Sequence, residues 1–242
     1  SVSLNTTIDS DFNGLWFNPA ENGHGIQVEE INLNGTVQVH VSWYVYHQGE
    51  QLWLTGVGPV DGSVAHVEHY ITSGPDFGVD YDAQDLLSEP WGTATLTLQD
   101  NHTMTYAWDG MPYGFGTGSM ALSRLAGIKA TSQTAFGINS CHSGSWYSPS
   151  EDGHGYMVQV VDIGGQANMV LTWYTYLNGE QYWMTAVGAL DGNEASLSAQ
   201  VTTGGHFPPD FDTTEVDFID WGGIHFKLLD NNRAIISWQS GL

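Results

Sequence analysis

The sequence predicts an all-β protein built as a tandem repeat of two antiparallel up-and-down β-meanders. Three observations carry the prediction. First, the chain repeats itself. A shift of 130 residues lays GSWYSPSEDGHG (144–155) on GLWFNPAENGHG (14–25), and TWYTYLNGEQYWMTAVGALDG (172–192) on SWYVYHQGEQLWLTGVGPVDG (42–62), without a gap. Second, side chains alternate. Val37, Val39, Val41, Trp43 and Val45 fall on one face, and Gln38, His40, Ser42, Tyr44 and Tyr46 on the other, which is the period of a pleated strand. Third, glycine turns (LNGT, HQGE, VDGS, LNGE, LDGN) follow each run, as hairpin connections require.

Taken in order, the first half reads as strands near 14–18, 24–32, 36–47, 50–60, 63–73, 92–100, 103–109 and 118–125. The sixth is clear from Ala94, Leu96 and Leu98 alternating with Thr93, Thr95 and Thr97, and Ile224, Phe226 and Leu228 repeat that pattern in the second half. Only Ala83–Glu89 has the makings of a single helical turn. Short connections favour antiparallel neighbours. Closure removes exposed edges, so an eight-stranded barrel is the first expectation, with a sandwich or open curved sheets as the alternative. The expected domains are a first repeat over 1–125, a small and polar linker over 126–143 (AGIKATSQTAFGINSCHS) and a second repeat over 144–242. The second repeat stops at Leu242, before any counterpart of GSMALSRL (118–125). The alternating start SVSLNTTI (1–8) is therefore expected to supply that strand or cover that edge.

Charge bounds the function. Twenty-seven acidic residues stand against four basic ones (Arg124, Lys129, Lys227, Arg233), a net of −23. Such a field repels phosphate backbones and anionic membranes, which excludes nucleic acid as a partner. No apolar run is long enough to span a bilayer. Cys141 is the only cysteine, so neither an internal disulfide nor a thiolate zinc cluster forms. A start at Ser1 without a basic-apolar leader predicts a processed mature chain or a trimmed one. Together these features predict a secreted or cell-surface protein, extracellular or periplasmic.

His24 and His154 are the one pair among ten histidines that both repeats keep, each three residues after a glutamate, Glu21 or Glu151. That arrangement serves to hold a turn, with the carboxylate as the imidazole's local partner. Its functional alternative is a general acid–base couple or part of a metal site. All ten tryptophans also pair across the repeats, as 16/146, 43/173, 53/183, 91/221 and 108/238. They predict a framework that fills barrel interiors. Trp91 and Trp221, beside a glycine after the longest loop, are the candidates for exposed rings that stack on sugars. The first half has His40, His47, His66, His69 and His102 where the second does not, and HVEH (66–69) should place its imidazoles on opposite faces. Asp80, Asp82 and Asp85, matched by Asp210, Asp212 and Glu215, offer the oxygens calcium prefers. Asp80, Asp82, Asp210 and Asp212 are its candidate ligands. No G-x-S-x-G, phosphate loop or dinucleotide fingerprint occurs.

Both repeats resemble a Trp-rich module of secreted and surface proteins of proteobacteria, written G-x-W-[YF]-x-P-x-x-x-G-x-G, then W-[YF]-x-Y-x-x-x-G-x-x-x-W, then W-G. The matching stretches are 14–25, 43–53 and 91–92, then 144–155, 173–183 and 221–222. The resemblance implies export and an all-β module and supplies no catalytic residues; its architecture is analogous to avidin-like barrels. The expected function is a ligand-binding module for polysaccharide or other envelope or matrix material, with calcium ordering the loops. The alternatives are a polysaccharide-active enzyme using Glu21/His24 and Glu151/His154, and a surface protein that captures transition metals.

Overall fold

The first half forms β1 (Gly14–Phe17), β2 (Gly25–Leu33), β3 (Thr36–His47), β4 (Glu50–Asp61), β5 (Val64–Ser73), β6 (Leu87–Leu98), β7 (Thr103–Asp109) and β8 (Thr117–Arg124). Each strand pairs antiparallel with the next, and β8 returns to β1 through Trp16↔Arg124 and Phe17↔Ser123, closing a barrel. The second half forms β9 (Gly144–Trp146), β10 (Gly155–Ile163), β11 (Gln166–Leu177), β12 (Glu180–Asp191), β13 (Glu194–Thr203), β14 (Asp217–Asp230) and β15 (Arg233–Ser240). This is an open sheet in sequence order, a half-barrel whose edge strands are β9 and β15. The computed structural model describes residues 7–125 and 136–241. The all-β tandem meander is thus the observed fold, and among the described residues the barrel closes in the first half only.

Alternation on β3 buries Val39, Val41, Trp43 and Val45 completely. Near the end of the strand Tyr44 and Tyr46 are buried too, so the period of two fades there. At Tyr46 the reason is a ring laid on the outer face, where Phe211 stacks on it at 6.1 Å.

The compact units follow the two halves except at the long loops. The first comprises Ser1–Gly74, Leu86–Leu125 and Gly204–Val216; the second comprises Pro75–Asp85, Ala126–Thr203 and Asp217–Leu242. Within the first unit, Gly204 and Gly205 exchange backbone hydrogen bonds with Gly49 in the β3–β4 turn, at 2.9 and 3.0 Å. This seats Phe207 among Trp43 (4.8 Å), Trp91 (5.9 Å), Trp108 (6.0 Å) and Phe115 (4.8 Å). Within the second unit, the Asn178 N–H donates to Asp76 Oδ1 at 3.0 Å. Phe77 meets Trp173 (5.1 Å), Tyr182 (6.5 Å), Trp221 (6.2 Å) and Trp238 (6.1 Å). Phe77 and Phe207 are the same repeat position, and each fills the mouth of the unit built from the other half's strands.

The repeat also begins earlier than the motifs suggest. Ile8 and Ile138 are both buried, and their N–H groups donate to Gly62 O (2.9 Å) and Gly192 O (2.8 Å). Asp9 and Asn139 each cap a 3-10 turn, Ser10–Phe12 and Ser140–His142. These turns present Phe12 O and His142 O to the indole N–H of Trp16 (3.1 Å) and Trp146 (2.9 Å). Residues 138–143 of the expected linker therefore belong to the second sheet's framework. The expectation that 1–8 provides a missing strand meets the same fact. Ser1–Thr6 lie outside the described residues, Ile8 is in the first core, and no described strand pairs with the outer side of β9 or β15.

Candidate functional site

The phrase ENGHG and its copy EDGHG build one geometry twice. Gly23 and Gly153 sit at φ +130° and +107°, a region that favours glycine. At Gly25 and Gly155 a Cβ would press on the carbonyl oxygens of Trp16 and Trp146 at 3.0 and 2.8 Å. The glycines therefore allow the chain to turn and then run close beneath the first strand. Tyr46 Oη and Tyr176 Oη hold the turns by donating to Gly23 O (2.9 Å) and Gly153 O (3.2 Å).

The imidazole between those glycines is buried. In the first unit the Trp43 indole N–H donates to His24 Nδ1 at 3.3 Å, and His24 Nε2 faces Glu21 Oε2 at 3.2 Å. In the second, the Trp173 N–H donates to His154 Nδ1 at 3.3 Å and Nε2 lies 3.6 Å from Glu151 Oε2. An indole can only donate. Nδ1 must then accept, which places the proton on Nε2 and aims it at the carboxylate. Burial lowers the pKa of both histidines, against the smaller opposing pull of their glutamates. Phe211 closes over His24 edge-on at 4.5 Å, and Tyr81 covers His154 at 4.4 Å. The Tyr81 hydroxyl donates to Asp152 O at 2.7 Å; desolvation, with the Asp152 and Glu151 charges adding, raises its pKa to about 12. Both ring nitrogens are committed to the protein. A general base needs a nitrogen that reaches the substrate, so this arrangement reads as a tie between turn, strand and loop.

The remaining sequence candidates divide. Trp91 and Trp221, expected at the surface, are 0% and 3% exposed. Phe207 and Phe77 bury them, and the Trp221 indole hydrogen-bonds Tyr182. They are interior rings and offer no face to a sugar. Asp80, Asp82, Asp210 and Asp212 are exposed. Asp82 Oδ1 accepts the Gln84 N–H at 2.9 Å, and Asp212 Oδ1 accepts the N–H and hydroxyl of Thr214 at 2.8 and 2.7 Å. Backbone hydrogen bonding holds the Asp212 carboxyl below the usual range. These two acids cap short turns, and among the described residues no three His, Cys, Asp or Glu side chains converge on a metal position.

HVEH behaves as its spacing suggests. His66 is exposed beside Thr95 Oγ1 (3.2 Å), while His69 is buried inside the barrel, its Nε2 accepting from Tyr106 Oη at 2.7 Å. Desolvation lowers the His69 pKa to about 3, with the Thr55 carbonyl opposing and His40 adding slightly.

A surface that the candidate residues missed lies at the open side of the second unit. Trp238 is 42% exposed, whereas its counterpart Trp108 is 5% exposed. In the barrel, β8 pairs Gly118 with Trp108, so close that a Cβ on Gly118 would run into the indole. Ile236 and Ala234 are half-buried where Tyr106 and Met104 are buried, and Trp146 is half-buried where Trp16 is fully covered. A shallow depression of about 380 Å³ runs over β13–β15 beside this edge, lined by Ser196, His225, Ser237, Trp238 and Gln239 among others. The strand that covers Trp108 is β8, and the described residues of the second unit place no counterpart of it beside Trp238.

No family model, curated protein or solved structure matches this chain.

Proposed function

We propose that this chain is a non-catalytic ligand-binding protein, displayed outside the cell, whose binding surface is the open side of the second unit. One observation carries the reading: an indole held in place by Trp173 at 4.8 Å and Phe77 at 6.1 Å is nonetheless 42% exposed on β15, the last strand of the described sheet. Rigid, half-exposed aromatic rings are the usual anchors of binding surfaces. Support for a non-catalytic role comes from the paired imidazoles, both of whose nitrogens are spent on Trp and Glu. The net charge of −23 and the resemblance to Trp-rich modules of secreted proteins support display outside the cell. Envelope or matrix polymers, as extended chains, suit an open sheet edge.

Intrinsic fluorescence titrations of the intact protein and of Trp238→Ala, against soluble polysaccharides and extended peptides, test the reading. A saturable signal lost in Trp238→Ala, without turnover of the ligand, is the expected result. Turnover abolished by His24→Ala or His154→Ala, or a signal indifferent to Trp238, refutes it.

A further inference from the structure

One glycine in the middle of β14 has no structural task. Gly222 and its first-unit counterpart Gly92 do have one. Each lies at a register shift of its sheet, and a Cβ there would strike Gln239 O or Asp109 O. Gly223 is different. Its φ lies outside the left-handed region, and a Cβ on it would meet nothing nearer than Leu197 O at 3.8 Å. The first unit has Thr93 at this position. Glycine weakens the interior of a strand, and it marks a bulge, a bend or a place that a ligand approaches closely. The bulge belongs to Gly222, which leaves approach.

Gly223 opens the depression of about 380 Å³ over β13–β15, a size within the range of small-molecule sites. Pairing sets Ser196, His225 and Ser237 in one cross-strand row and Ser198, Gly223 and Gln239 in the next. The serines, Gly223 and Gln239 are exposed and His225 is half-buried, while Leu197 and Ile224 turn into the core. This is the outer face of the sheet. The same rows of the first unit read His66, Thr95, Ala107 and Glu68, Thr93, Asp109. In a chain of net charge −23, the second unit has here exchanged two carboxylates for a hydroxyl and an amide. Glu194, the acid beside His225, is tied to Lys227 at 2.6 Å and to His225 at 3.2 Å. Hydroxyls and carboxamides both donate and accept, as the hydroxyls of a sugar do. A phosphate or uronate wants a free cation, and an amine wants the acids that are replaced. We propose that this hollow seats one residue of a neutral polysaccharide, its ring over Gly223 and its hydroxyls bonded by Ser196, His225, Ser237 and Gln239. Being shallow, it admits an internal residue of a polymer. The site goes beyond the surface proposed above and is separable from it, because the Trp238 ring packs on the inner face against Trp173.

Affinity electrophoresis in native gels and titration calorimetry test the site. Dextran, laminarin and galactomannan are the neutral probes, and alginate is the uronate control. Gly223→Thr and Ser237→Ala each restore the first unit's residue. The expected result is saturable binding of at least one neutral polymer and none of alginate. Binding should be weaker by about tenfold or more in Gly223→Thr, whose side chain fills the hollow, and measurably weaker in Ser237→Ala. The melting temperature of Gly223→Thr should equal or exceed that of the intact protein, since threonine suits a strand. No binding of any neutral polymer, or equal binding by Gly223→Thr, overturns the proposal. A clear fall in the melting temperature of Gly223→Thr makes the glycine structural and also overturns it, as does alginate bound in preference to the neutral polymers. Binding lost in Trp238→Ala but kept in Gly223→Thr removes this site and leaves the Trp238 surface standing. The converse supports this site and removes that surface.

Discussion

Acid should weaken the first unit, with the buried imidazole of His69 contributing a part that one variant isolates. His69 is 1% exposed and its pKa falls from 6.5 to about 3 because burial disfavours the charged ring. In the unfolded chain the ring regains its ordinary value. Between about pH 3 and 6.5 the unfolded state therefore holds a proton that the folded state refuses, and stability rises with pH across that window. The contribution is full above 6.5 and is lost as pH falls. Well below pH 6.5 each pH unit costs about 1.4 kcal/mol, so the drop from 6.5 to 4.5 removes about 2 kcal/mol, and the whole shift is on the order of 5 kcal/mol. That is comparable to the entire stability of a small domain.

The second unit carries Ala199 at the equivalent position, so His69→Ala makes the two alike. At neutral pH this variant should cost about 2–4 kcal/mol, from the cavity and from the Tyr106 hydroxyl left without its acceptor. On acidification its disadvantage should shrink by about 1.4 kcal/mol per pH unit and nearly vanish near pH 4.5. Urea unfolding followed by tryptophan fluorescence at pH 7.5, 6, 5.25 and 4.5 measures the difference, and subtraction removes the contribution of the carboxylates common to both proteins. Parallel stability curves for wild type and variant refute the reasoning.

Three further outcomes are expected. His24→Ala and His154→Ala each strand a buried indole donor, that of Trp43 or Trp173. Each should cost about 1–3 kcal/mol in denaturant melts, and the two losses should add because the sites lie in different units. Phe207→Ala should lower stability by about 3–5 kcal/mol and the partly exposed Phe77→Ala by less; thermal melts rank them, and equal effects would deny the packing difference. Millimolar calcium should shift the melting temperature by no more than about 1 °C, whereas a ligand at a hundred times its Kd adds about 2.7 kcal/mol. A saturable rise in Tm would return the exposed aspartates to the role of ligands.

Much of the fold is legible because its information is local. Alternation over β3 and the glycine turns place strands to within a residue or two, except that β6 begins at Leu87, where exposed SEP gives no apolar period. The pairing of His24 with Glu21 is legible for the same reason, three residues being a reach the chain itself guarantees. Its second partner, Trp43, is 19 residues away and follows only from the β2–β3 register. The burial of Trp91 and Trp221 is not local at all. Whether an indole beside a loop faces water depends on which ring covers it, and here that ring comes from the other half of the sequence. Spacing within one repeat cannot show that Phe207 rather than Phe77 seals the first barrel. Trp238 differs, since its exposure depends on what lies beside β15, and the described residues place no strand there.

The traded loops have a consequence for how the protein is made. During synthesis the first eight strands leave the ribosome long before Phe207 does, and the barrel they form has an unplugged mouth until Val216 has emerged. A fragment cut between the halves would inherit that vacancy permanently, with Trp43 and Trp91 left to water. The duplication therefore created two folding domains that cannot be separated into two self-sufficient proteins.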